Sequence, residues 1–157
     1  NSTALYYLAF AYFYSGNFTE ALTTLNKYYE LENKGLRYLY YQLLLAEGDF
    51  KRVINEPSFD DDNNARNIAL AAVNFRLGHK NVAEKICNDL KEKNISFYWI
   101  AFAYSYGDEP EKVYEYLERS YTLREKQLTY LGVEPAFKKF RNEPKMKILL
   151  LKMKFPV

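Results

Sequence analysis

The sequence predicts an all-α protein: a solenoid of about four helix pairs closed by a C-terminal capping helix. Three observations lead there. A pattern of apolar and small residues recurs along the chain, helical rather than alternating in period. Each copy is punctuated by Gly or Asn where a helix should end and by Ser, Thr or Pro where the next should start. The last copy is followed by a short amphipathic stretch suited to covering an exposed end.

The clearest copy places Leu5, Leu8, Ala9 and Tyr12 on a first helix, then Gly16, then Ala21 and Leu25 on a second. The same internal spacing returns as Phe97, Ile100, Ala101 and Tyr104, followed by Val113 and Leu117. A weaker copy is Leu70, Ala71 and Asn74, then Gly78, Ala83 and Cys87. The most degenerate is Tyr40, Tyr41 and Leu44, then Gly48 and Val53. A helix pair of this size cannot bury its own apolar face, whereas stacked neighbours can.

The first helix is expected over 2–15, capped by Ser2 or Thr3 and ended by Gly16-Asn17. The second comes next, over 19–31, with Thr19 as its cap, placing Ala21, Leu25 and Tyr28 on one face. Small residues such as Ala9 and Ala21 let antiparallel helices approach closely. The second pair opens near Gly35, and its first helix ends at Gly48-Asp49. Its other helix begins at Phe50 and is cut short by Pro57. A polar loop is expected over 58–64; its Asp60-Asp61-Asp62 run lacks the spacing, glycine and later Glu of a calcium loop. The third pair is expected over 64–77 and 81–93. The fourth spans 97–106, with Ser96 as cap, and 110–123, with Pro110 in a first turn where its missing N–H costs nothing.

The small positions Ala21, Val53, Ala83 and Val113 lie 32, 30 and 30 residues apart. Over about 2–123 these residues resemble the tetratricopeptide repeat family, whose regular period is about 34 residues. The resemblance implies a right-handed α-α superhelix of about four repeats, approximately 2–34, 35–63, 64–94 and 95–125, with a cap over 126–157, in one domain. In that family the first helix of each pair lines a concave groove. Carried over, the groove positions are Tyr6, Phe10, Phe13 and Tyr14 in the first copy and Tyr38 and Gln42 in the second. They are Ile68, Phe75 and Arg76 in the third and Tyr98, Phe102 and Tyr106 in the fourth. The lining is aromatic, without the Lys and Asn that relatives use to clamp an acidic tail. An apolar peptide or helical segment suits it. Packing of these rings between neighbouring repeats stands as the other reading.

The stretch 130–146, with the apolar segment 150–156, is similar to the tail after the last repeat in many bacterial signalling proteins. There the effector is N-terminal: a nucleotide cyclase, a Ser/Thr kinase or a winged-helix transcription regulator. The resemblance implies a regulatory C-terminal piece of a longer, cytoplasmic protein, in keeping with a start inside a repeat and no visible signal peptide. Met146, Leu149, Leu150 and Met153 form a stripe at i, i+3, i+4 and i+7 flanked by Lys145, Lys147, Lys152 and Lys154. Capping the fourth pair, filling the groove, joining two copies into a homodimer and lying on a membrane all remain open for it.

Composition narrows the chemistry. The 157 residues carry 22 Lys and Arg against 20 Asp and Glu, a balance that disfavours a nucleic-acid surface. One His and one Cys leave no catalytic His pair, internal disulfide or Cys-rich metal site. Cys87 falls at an apolar position of the third copy, where a buried thiol is expected. No glycine-rich phosphate loop is present, and no apolar run reaches the ~20 residues a membrane span needs. The expectation is a non-enzymatic module without cofactor or metal, whose partner is a protein or peptide. Self-association of a parent effector is the alternative.

Overall fold

The computed structural model describes residues 1–32, 37–57 and 63–155, and they form an all-α protein without a strand among them. The chain divides into two compact units, residues 1–69 and 70–157, with the boundary inside one helix.

The first unit holds α1 (Ser2–Tyr14), α2 (Phe18–Leu31), α3 (Tyr38–Glu47), α4 (Phe50–Asn55) and the start of α5 (Asn64–Arg76). The α1 cap is Asn1, not Ser2 or Thr3: its side chain accepts the Thr3 amide at 3.1 Å. Nor does Thr19 cap α2, which starts one residue earlier, at Phe18. Gly16 turns with φ +83, and the Asn17 amide bonds back to the Tyr12 carbonyl at 2.9 Å. That closure brings the chain into α2 sooner than the cap signal implied. The α4 helix stops before Pro57 as the sequence requires, and Asp49 caps it by accepting the Arg52 amide. Most of the polar loop expected over 58–64, and Gly35 at the opening of the second pair, lie outside the described residues.

The core of this unit joins Ala9, Phe13, Ala21 and Leu25 of the first pair to Leu39–Leu45 of α3 and Val53 of α4. α3 carries the most eroded copy of the pattern, yet seven of its residues in succession are buried. A helix apolar all round belongs inside. The Tyr40 hydroxyl donates to Glu56, which also takes Arg52 Nε at 2.7 Å, so the end of α4 is tied to α3.

The second unit holds the rest of α5, then α6 (Lys80–Glu92), α7 (Phe97–Tyr104) and α8 (Pro110–Thr122). Two 3-10 turns come next, over Lys126–Tyr130 and Pro135–Phe140, and then α9 (Pro144–Lys152). α7 packs along α8 and against α6. Lys80 pairs with Glu109, and Lys91 Nζ donates to the Tyr116 hydroxyl at 3.2 Å, tying α6 to α8.

The tail runs along α8. Met146, Leu149 and Leu150 are buried, and they lie 33 residues after the buried Val113, Tyr116 and Leu117. Tyr114 donates to Glu143 at 2.6 Å, Lys145 meets Glu111 at 2.5 Å, and Lys152 meets Glu118 at 3.2 Å. The tail helix thus repeats the second-helix pattern once more. Leu128, Leu131, Phe137 and Phe140 of the two 3-10 turns and their connection are buried as well.

Candidate functional site

α1 contains no charged residue, and its sequence offers aromatics at i, i+4 and i+8. Tyr6, Phe10 and Tyr14 form a ladder of half-buried rings, with centroids 6.4 Å apart for Tyr6 and Phe10 and 4.6 Å for Phe10 and Tyr14. Tyr28 of α2 supports the ladder 5.3 Å from Tyr6. The edge-on and tilted contacts suit the ring quadrupole, so the ladder is stiff before any ligand arrives.

The remaining candidates divide. Tyr38 in the first unit and Tyr106 in the second are half-buried, and Arg76 is exposed. Phe13, Gln42, Ile68, Phe75, Tyr98 and Phe102 are buried, so their surface is taken by the protein's own packing. The reason is visible ring by ring. Phe13 is flanked by Phe18 at 5.6 Å and Tyr14 at 4.9 Å. Phe75 meets Tyr104 at 4.3 Å and presses on the Cα of Gly107, where an added Cβ would lie 3.3 Å from its ring. Tyr98 is covered by Phe137 of the second 3-10 turn at 5.6 Å, and Phe102 by Trp99 at 5.4 Å and Tyr106 at 5.6 Å.

Glu125 has a role that no local pattern suggested. Its carboxylate reaches back across the fourth pair to the start of α7. It accepts the Phe97 amide at 2.9 Å, the Tyr98 amide at 3.0 Å and the Ser96 hydroxyl at 2.7 Å. Ser96 occupies the cap position but makes no cap bond with its own side chain. A carboxylate at the positive end of a helix is the stronger cap. Burial pushes the Glu125 carboxyl up, but its donors outweigh this and hold it below its ordinary value. Glu134 is also buried; it accepts the Ala136 amide at 3.3 Å, and its carbonyl takes Arg141 Nη2 at 3.0 Å. Burial, first, and the nearby Glu134 charge push the Tyr106 phenol up. The partners of Glu125 lie 27 to 29 residues away, beyond any local spacing rule.

A groove of about 540 Å³ runs between α8 and α9, lined by Glu111, Tyr114, Glu115, Glu118, Lys145 and Ile148. Its carboxylates are already engaged: Glu111 with Lys145, Glu115 with Lys112 and Arg119, Glu118 with Lys152. Such exposed pairs are individually weak and present little net charge to a ligand.

Cys87 is buried, and burial pushes its thiol up to about 12, away from nucleophilic use at neutral pH. Among the described residues no three His, Cys, Asp or Glu side chains group as metal ligands, and no helix is long and apolar enough to cross a membrane. Compared with known proteins, the chain matched no family model, no curated protein and no solved structure.

Proposed function

We propose that this chain is a non-catalytic docking module of tetratricopeptide type, which holds an apolar peptide or a helical segment of a partner protein. The observation that carries the reading is the half-buried ladder Tyr6, Phe10 and Tyr14 on the charge-free α1, whose rings keep part of their surface accessible. Rings already braced against one another bury further area at little cost in rotamer entropy. Central aromatics of this kind dominate the energy of many interfaces. The docking surface is therefore narrower than the sequence implied: it rests on the first unit, which also holds the half-buried Tyr38. The tail's likeness to endings in bacterial signalling proteins supports a regulatory place within a larger cytoplasmic protein.

The test uses apolar peptides selected by display against the intact chain and titrated by fluorescence anisotropy. The Tyr6→Ala/Phe10→Ala variant, with its helical circular dichroism intact, should lose about 10- to 100-fold in affinity, the usual effect of truncating two anchors. Failure to select any peptide, or undiminished affinity in the variant, rejects the site. Met146, Leu149 and Leu150 of the tail stripe are buried, which favours capping over dimerisation as the role of that helix.

A further inference from the structure

The tail helix α9 buries Met146, Leu149 and Leu150 and turns its other side to solvent. There Ile148 and Leu151 are 54% and 57% accessible, three residues apart and so neighbours on one helical face. The place of α9 as the last helix does not account for this. Aligned on their buried residues Ala83, Val113 and Met146, the helices α6, α8 and α9 put Lys85, Glu115 and Ile148 at one position and Asn88, Glu118 and Leu151 at another. Lys85, Asn88 and Glu118 are exposed and Glu115 is half-buried, although α6 and α8 are each followed by helices that pack against them. In α2 the matching Thr23 and Asn26 are exposed as well. This side faces solvent in all four helices; it is polar in α2, α6 and α8 and aliphatic in α9.

A row of lysines borders the aliphatic pair on either side. Lys145 and Lys152, seven residues apart, lie toward α8 and are met there by Glu111 at 2.5 Å and Glu118 at 3.2 Å, themselves seven apart. The opposite row is Lys147 on the helix and Lys154 just past its end, again seven apart. Both are exposed, and among the described residues neither makes an ion pair. The field around them is positive: residues 138–154 hold seven Lys and Arg and one Glu, out of 22 bases and 20 acids in the whole chain. Ile148 also lines the groove between α8 and α9, so the apolar strip continues toward Tyr114.

We propose that this face docks an acidic amphipathic helix of another protein. That helix lays apolar residues on Ile148 and Leu151 and sets carboxylates seven residues apart on Lys147 and Lys154. The chain displays the required pairing on the other border of α9, where α8 supplies Glu111 and Glu118 to Lys145 and Lys152. A partner helix on the open border repeats that match in register. The face belongs to the second unit and shares no residue with the ladder Tyr6, Phe10 and Tyr14, so it does not depend on that ladder binding a peptide.

The test is an NMR titration of the intact, isotope-labelled chain with a designed helical peptide. The peptide carries a Leu pair flanked by two Glu seven residues apart; its control carries Lys in place of both Glu. Two aliphatics and two charges are a small footprint, so half-saturation is expected at about 100 μM. Amide shifts should centre on residues 147–154, and binding should weaken several-fold as salt rises from about 0.05 to 0.5 M. Ile148→Thr/Leu151→Asn, which installs the residues that α2 carries at these positions, should weaken binding about 10-fold or more. Lys147→Glu/Lys154→Glu should reverse the preference, so that the Lys peptide binds instead. All four positions are exposed, and circular dichroism checks the fold of each variant. Shifts centred elsewhere, or equal binding of the two peptides by the wild-type chain, would overturn the proposal. So would co-sedimentation with phosphatidylglycerol vesicles by a chain that ignores the acidic peptide, which assigns the face to a membrane. The Tyr6→Ala/Phe10→Ala variant should bind the acidic peptide unchanged. Loss of binding there would place the peptide on the ladder and overturn this proposal while leaving the first docking surface intact.

Discussion

The α1–α2 pair and the α7–α8 pair begin from the same spacing of side chains and end in opposite surroundings. Leu8 and Tyr12 keep contact with solvent, whereas their counterparts Ile100 and Tyr104 are buried. Phe10 is half-buried in its ladder, while the matching Phe102 is sealed by Trp99 and Tyr106. The difference comes from the elements that flank each pair. The last pair has α6 on one side and the tail on the other, which supplies Phe137 over Tyr98 and Glu125 at the start of α7. Among the described residues, the first pair has α3 packed beside α2. Within residues 1–157 one motif therefore yields a core in one unit and a partly exposed apolar helix in the other; exposure is a property of neighbours.

The sharpest way to break this comparison is to remove one ring from each unit. Phe137→Ala should destabilise the second unit by about 3–5 kcal/mol, the usual cost of emptying a packed aromatic site. Trp99, the sole tryptophan and in contact with Tyr98, reports that loss by fluorescence in a urea titration. Phe10→Ala should cost about 1 kcal/mol, since a half-exposed ring gives up less burial. Equal costs would mean that the two pairs are alike in packing after all.

A smaller effect is expected from Glu125→Gln, about 1 kcal/mol at neutral pH, typical of a lost charged cap. Its pH dependence has a definite sign. A carboxyl held below its usual 4.5 contributes fully above that value and loses the contribution as pH falls through its folded value. Wild-type stability in the second unit should thus decline on acidification below about pH 4.5, and the Gln variant should decline less. Parallel pH profiles for the two proteins would show that Glu125 does not hold the start of α7.

The least disruptive probe is Cys87. With its thiol raised from 9.0 to about 12, the thiolate at pH 8 falls by about a thousandfold. A disulfide reagent should therefore label the native chain slowly and the urea-unfolded chain at once. Rapid labelling of the native chain would mean that α6 opens readily and leaves the thiol within reach of solvent.

Much of the helix layout was legible in the chain itself. Gly16, Gly48 and Gly78 all end first helices at positive φ, and Pro57 and Pro110 stand where a helix must stop or start. Those signals are local, because they depend on one residue's own backbone preferences. The caps were less legible. Asn1 displaced Ser2 and Thr3 because it stands just outside the first helical residue, where its side chain accepts the Thr3 amide, and Glu125 displaced Ser96 by bringing a full charge. Of the candidate groove, Tyr6, Phe10, Tyr14, Tyr38, Arg76 and Tyr106 keep surface, and the other six do not. Nothing in the spacing of Tyr98 separates it from Tyr6; the covering ring is Phe137, 39 residues further on.

By itself, then, the sequence determined that this protein is helical, where most helices start and stop, and which small residues let paired helices meet. Each of those stems from periodicity and from conformational limits felt within a few residues. Which aromatic faces remain open was decided only by the tertiary structure. Burial depends on atoms brought from distant parts of the chain, and an identical local pattern carries no record of what will be laid over it.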